Sequence, residues 1–94
     1  DNEVEGLYAY CSSSIEGLVK DALSNTGFAL AKNSHHDKTE DGVITQGQQP
    51  YKGTLERALK RRNINYCTLE TPSSEKLEKR VECLKKIIHT LIHA

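Results

Sequence analysis

The run CTLETPSS, from Cys67 to Ser74, sets a single carboxylate, Glu70, at the end of a short apolar stretch and two residues before a proline. Folds that alternate helix and strand place active-site groups at the carboxyl ends of strands. A carboxylate in that position can take a proton from an attacking water and later return it to a leaving group. The same position is also where any strand returns to solvent, so a surface acid and a catalytic one both fit the local pattern.

Other candidates are weaker. His89 and His93 lie four apart on a helical pattern and can face the same way, as two ligands of a zinc site must. A third ligand is needed, and imidazole near a helix C-terminus is already favoured by the exposed carbonyl dipoles. His35 and His36 are adjacent, so on an extended segment they point apart. Ser12, Ser13 and Ser14 have no GxSxG elbow around them, which leaves helix capping as their simplest use. Gly42 and Gly47 lack the remaining glycines and the lysine-serine/threonine end of a phosphate loop. The cations of LKRRN, and those at Lys79, Arg80, Lys85 and Lys86, have acids nearby and no interleaved aromatic platform for bases, which reads as a solvated helix face.

The elements that would position Glu70 follow from periodicity. Leu7 to Cys11 is short, apolar and contains two tyrosines, and reads as a strand or the mouth of one. Ile15, Leu18, Val19, Ala22 and Leu23 recur at helical spacing, with Glu16 inside the start and Gly27 beyond the end. Phe28 to Ala31 reads as a second strand. A polar stretch of about twenty residues follows, long for a loop in a compact domain, with Val43 to Thr45 after Asp41-Gly42 as a small edge strand. Thr54 can cap a helix carrying Leu55, Ala58 and Leu59, which Asn63 ends. INYCTL then reads as a buried strand. The last helix, from about Ser74 to His93, carries an apolar stripe of Leu77, Val81, Leu84, Ile88 and Leu91, widened by Ile87 and Ile92. Cys83 sits at its border as a small buried group.

Composition narrows the functional classes. The chain has 94 residues, with thirteen basic side chains balancing thirteen acidic ones. No overall field would draw nucleic acid or an anionic membrane to it. No apolar run is long enough to cross a bilayer. Three cysteines without a CxxC spacing argue against a disulfide-stapled miniprotein and a cysteine-based zinc module. Compartment is not readable from a sequence that begins at Asp1 and contains no methionine.

From Gly53 onward, GTLERALKRRNINYCTLETPSSEKLEKRV resembles the end of the zinc carboxypeptidase fold, particularly its murein-peptide amidase and deacylase branches. There a small-residue helix start leads through a helix and a strand reading roughly TLE to a final long helix. YAYCSSSIEGLVKDALSNTGFALAK is compatible with the segment after the last metal ligand. The resemblance implies Glu70 as the catalytic glutamate, Gly53 and Thr54 as the small residues opening the helix, and Thr68 as a pocket-lining residue on the same strand face as Glu70. On the substrate side, Tyr51 is near the family's tyrosine but out of step, and Gln48 is nearer the expected offset. It also implies zinc, held in that family by an HxxE pair and a later histidine that all precede the matched region. No HxxE occurs in this chain, and the family's oxyanion-stabilising arginine has no visible counterpart.

The expectation is therefore an α/β fold, residues 1–94 forming one segment of a three-layer mixed sheet with crossover helices and a long C-terminal helix, within a larger domain. Its partners would be a ligand-bearing N-terminal half or another chain, and a peptide or acylated amino substrate, with no nucleic acid and no membrane. The alternative is a noncatalytic accessory domain that binds protein through the long loop and the last helix.

Overall fold

The computed structural model describes residues 5–34, 37–45 and 55–93. In chain order the elements are β1 (Tyr8–Cys11), a 3-10 turn (Ser13–Ile15), α1 (Glu16–Ser24), β2 (Asn33–Ser34), β3 (Asp37–Lys38), β4 (Val43–Ile44), α2 (Leu55–Arg61), β5 (Cys67–Glu70) and α3 (Leu77–Ile92). The result is a small mixed α/β domain with a sheet ordered β4-β1-β5. β4 runs parallel to β1 and β5 antiparallel to it. A parallel pair requires a crossover connection, and α1 supplies it.

Strand alternation divides the sheet into two faces. Leu7, Ala9, Cys11 and Val43 pack with Val19, Ala22 and Leu23 of α1 and with Cys83 and Ile87 of α3, and Cys67 and Leu69 abut the same cluster. Tyr8 and Ile44 turn the other way, where Ala31 and Tyr10 join them. The β2–β3 hairpin brings the fully buried Ser34 to this second face, where its hydroxyl accepts a hydrogen bond from Tyr10 at 3.4 Å.

Local chemistry explains where the elements stop. Asp41 and Gly42 both have positive φ, and Glu40 and Val43 exchange two backbone hydrogen bonds across them. That is the two-residue turn which Asp-Gly favours, and it launches β4. At the end of α2, Asn63 takes the left-handed conformation with φ 57°. Ile64 N–H reaches Leu59 O and Asn63 N–H reaches Lys60 O, a Schellman ending with asparagine where glycine is usual. Gly6 precedes β1 with φ 98°, and a Cβ there would stand 2.7 Å from Ala31 N. Only glycine allows the backbone at Ala31 to approach this closely.

Three expectations need correction beside the burial of INYCTL, which forms a strand only from Cys67, half-buried at the sheet edge, with Ile64 49% exposed. Phe28 to Ala31 forms no strand; it contributes a single parallel bridge, Leu30 to Leu7, flanked by hydrogen bonds from Leu7 N–H to Ala29 O and from Ala31 N–H to Leu7 O. The serines after β1 do not cap the helix. Ser12 makes no side-chain capping bond, because its Oγ lies within reach of the incoming β5 backbone and accepts from Tyr66 N–H at 2.8 Å. Ser14 Oγ donates to Asn65 Oδ1 at 2.6 Å. The third correction is rotational. α3 carries the expected apolar stripe, but Cys83 and Ile87 are its buried residues, while Leu77, Val81, Ile88 and Ile92 are exposed. Thr54, and with it the expected helix cap, lies outside the described residues.

Candidate functional site

Glu70 is the last residue of β5 and stands directly opposite Tyr8 in the β1–β5 register, with Thr68 opposite Tyr10. Because alternate residues share a face, Glu70 and Thr68 turn away from α1 and α3, toward the side of Tyr8 and Tyr10. The two tyrosine rings meet edge to face with centroids 6.1 Å apart, an arrangement aromatic quadrupoles favour. Glu70 and Thr68 are both half-buried. β5 is an edge strand of the sheet, so its outer side borders space that the described residues do not fill with a further strand.

Electrostatics tie these groups together. Burial pushes the Tyr8 phenol above its ordinary value; a hydrogen bond with Ser34 opposes the shift, and the nearby Glu70 carboxylate and Tyr10 add to it. An anion close to a buried phenol disfavours phenolate, so Tyr8 stays a neutral group beside the carboxylate. Past Glu70 the chain is fixed by the buried Thr71, whose Oγ1 accepts from Arg80 Nε at 3.0 Å. This contact anchors the exit of β5 to the first turn of α3.

The sequence-expected site is thus brought together in part. Glu70 and Thr68 share a face as their two-residue spacing required. Gln48, Tyr51 and Gly53 lie outside the described residues, as do His35 and His36. Tyr8, Tyr10 and Ser34 complete the face around Glu70 and were not singled out by the sequence. The alternation of Tyr8 and Tyr10 on one strand was their available signal, but it could not reveal which strand they would adjoin.

Metal ligation fits less well. Among the described residues, no group of three or more His, Cys, Asp and Glu side chains can hold a metal ion. His89 and His93 do face one another, with ring centroids 4.3 Å apart, but as a pair they leave a zinc site incomplete. The donors described therefore do not compose the zinc centre that the carboxypeptidase resemblance implies.

A concavity lies at the opposite end of β5 from Glu70. It is an open groove of about 380 Å³ lined by Ser12, Ser14, Thr45, Lys60, Asn65 and Tyr66, among others. Its place at the carboxyl ends of the parallel strands β1 and β4 is one where α/β folds gather polar groups. Ser12 and Ser14 are already engaged with residues 65 and 66, which gives the groove a structural role in joining β1 to β5. Arg61 and Arg62 are exposed. No helix among the described residues is long and apolar enough to cross a membrane. No family model matches this sequence, and neither the curated proteins nor the solved structures compared with it include a match.

Proposed function

We propose that the chain is part of a zinc-dependent amide-bond hydrolase of carboxypeptidase or deacylase type, with Glu70 as its proton-carrying carboxylate. The observation that carries this reading is the position of Glu70: at the exit of the antiparallel edge strand β5, and so beside the amino ends of β1 and β4, half-buried, and on the sheet face that α1 and α3 leave free. Tyr8 and Thr68 hold the surroundings of the carboxylate in one register. In amide hydrolysis such a group takes a proton from the attacking water and delivers it to the leaving amine nitrogen. The metal ligands would come from outside the described residues, and the open side of β5 is where further strands could add. The exposed apolar face of α3 supports the same reading, since a larger domain would cover it.

The test is Glu70→Gln in a preparation that includes the ligand-bearing portion. Glutamine keeps the shape of the side chain but cannot carry the proton. Zinc content and fold should be retained while turnover of a peptide or N-acyl amino substrate falls by about 10²-fold or more. Near-wild-type turnover with zinc bound would remove Glu70 from the chemistry, and loss of zinc would make it a ligand instead. The alternative, a noncatalytic accessory domain, draws on the exposure of Leu77 and Ile92, at 71% and 70%, and expects no hydrolysis from the reconstituted preparation.

A further inference from the structure

Cys11 and Cys67 are far apart in sequence and directly opposite one another in space. They are the terminal pair of the antiparallel β1–β5 register, and both are free thiols. One step beyond them, Ser12 N–H donates to Tyr66 O at 3.0 Å, and Tyr66 N–H is satisfied by Ser12 Oγ. Ser12 and Tyr66 therefore occupy a hydrogen-bonded position. Such positions alternate along an antiparallel ladder, so Cys11 and Cys67 occupy a non-hydrogen-bonded one. The other edge of β1 agrees, because Ala9 N–H points away from β5 to Gly42 O.

At a non-hydrogen-bonded pair the Cα atoms stand about 4.5 Å apart and the side chains are at their closest. That separation falls inside the range of roughly 4.4–6.8 Å spanned by disulfides. Strand alternation also sends both side chains to the same face, the one packed on α1 and α3. Cys83 lies on α3 and faces neither thiol across a strand pair; the nearby Thr26 hydroxyl partly offsets the upward push of burial on its thiol, and no three-donor metal group includes it among the described residues.

We propose that Cys11 and Cys67 are a dithiol site that closes to a cross-strand disulfide, stapling β1 to β5. With a low-molecular-weight disulfide as oxidant, the thiolate of Cys67, the more exposed of the two, attacks one oxidant sulfur and expels a thiolate. The thiolate of Cys11 then attacks Cys67 Sγ in the mixed disulfide and expels the second. Two electrons pass to the oxidant, and the two cysteine protons end on the two released thiols. Burial pushes Cys67 up to about 11 and Cys11 up to about 12, so few thiolates exist at neutral pH and closure is slow, accelerating as pH rises. These are the properties of a stable staple and not of a fast redox sensor. Its location matters because the same ladder sets Glu70 opposite Tyr8.

The experiment equilibrates the folded protein with oxidised and reduced glutathione at pH 8.5, followed by non-reducing peptide mapping and thermal unfolding. A Cys11–Cys67 linked peptide, lacking two hydrogens, should accumulate at the expense of both free thiols, while Cys83 remains available to alkylation after unfolding. Closing a loop of roughly 55 residues should raise the unfolding midpoint by about 20 °C over the reduced protein. Cys83→Ala should retain the link and Cys67→Ser should lose both link and shift. Two free thiols at Cys11 and Cys67 after full equilibration of folded wild-type protein, or linkage of either one to Cys83, would overturn the proposal without bearing on the role of Glu70.

Discussion

The two faces of the β4-β1-β5 sheet are built from the same three strands and differ in what they bury. On one, Leu7, Ala9, Cys11 and Val43 meet α1 and α3 with almost no exposure. On the other, Tyr8 and Tyr10 adjoin Thr68, Glu70 and Ser34, and polar atoms are satisfied by one another. The first face is held by area removed from water and is indifferent to chemistry beyond size. The second keeps a carboxylate at a strand end, which burial alone would disfavour. Stability therefore concentrates on the helical face and chemical potential on the tyrosine face.

The largest test of that division is Ile87→Ala. Ile87 is fully buried in the core that α3 shares with α1 and the inner sheet face, and truncation should cost about 2–4 kcal/mol in denaturant unfolding. A cost under about 1 kcal/mol would mean that α3 is not seated as described. A smaller effect is expected from alkali. Cys11 and Cys67 titrate well above the ordinary thiol value of 9.0 because they are buried. Their folded-state values are raised, so the stability they contribute is complete below about pH 9 and is lost as pH rises toward 11 to 12. The unfolding midpoint should fall across that window under reducing conditions, and by less in Cys67→Ser. A flat midpoint to pH 11 would show that water reaches the helical face.

The smallest change in stability is expected on the outer side of α3. Leu77 and Ile88 are 71% and 49% exposed, so replacing both with glutamine should alter stability by no more than about 0.5 kcal/mol per site. In analytical ultracentrifugation the same double variant should associate with itself less than wild type does at equal concentration, because it removes an apolar row from solvent contact. Destabilisation matching that of Ile87→Ala would place these side chains inside the core and erase the contrast.

Much of this molecule follows from local pattern. The apolar spacing of residues 15–23 and 77–92 requires helices, Asp41-Gly42 requires a tight turn, and the two-residue period sets Thr68 and Glu70 on one strand face before any partner is known. These features depend on φ/ψ preferences and side-chain direction within a few residues. Tertiary structure decided the rest. It chose the Cys83–Ile87 edge of α3 for the core, since periodicity groups residues on a helix without saying which part of a wide apolar arc turns inward. It also paired β5 with β1 in antiparallel register, bringing Tyr8 to Glu70 and Cys11 to Cys67. Strand pairing is a contact between distant segments, selected by the combined burial of whole faces, and no spacing within either strand encodes its partner.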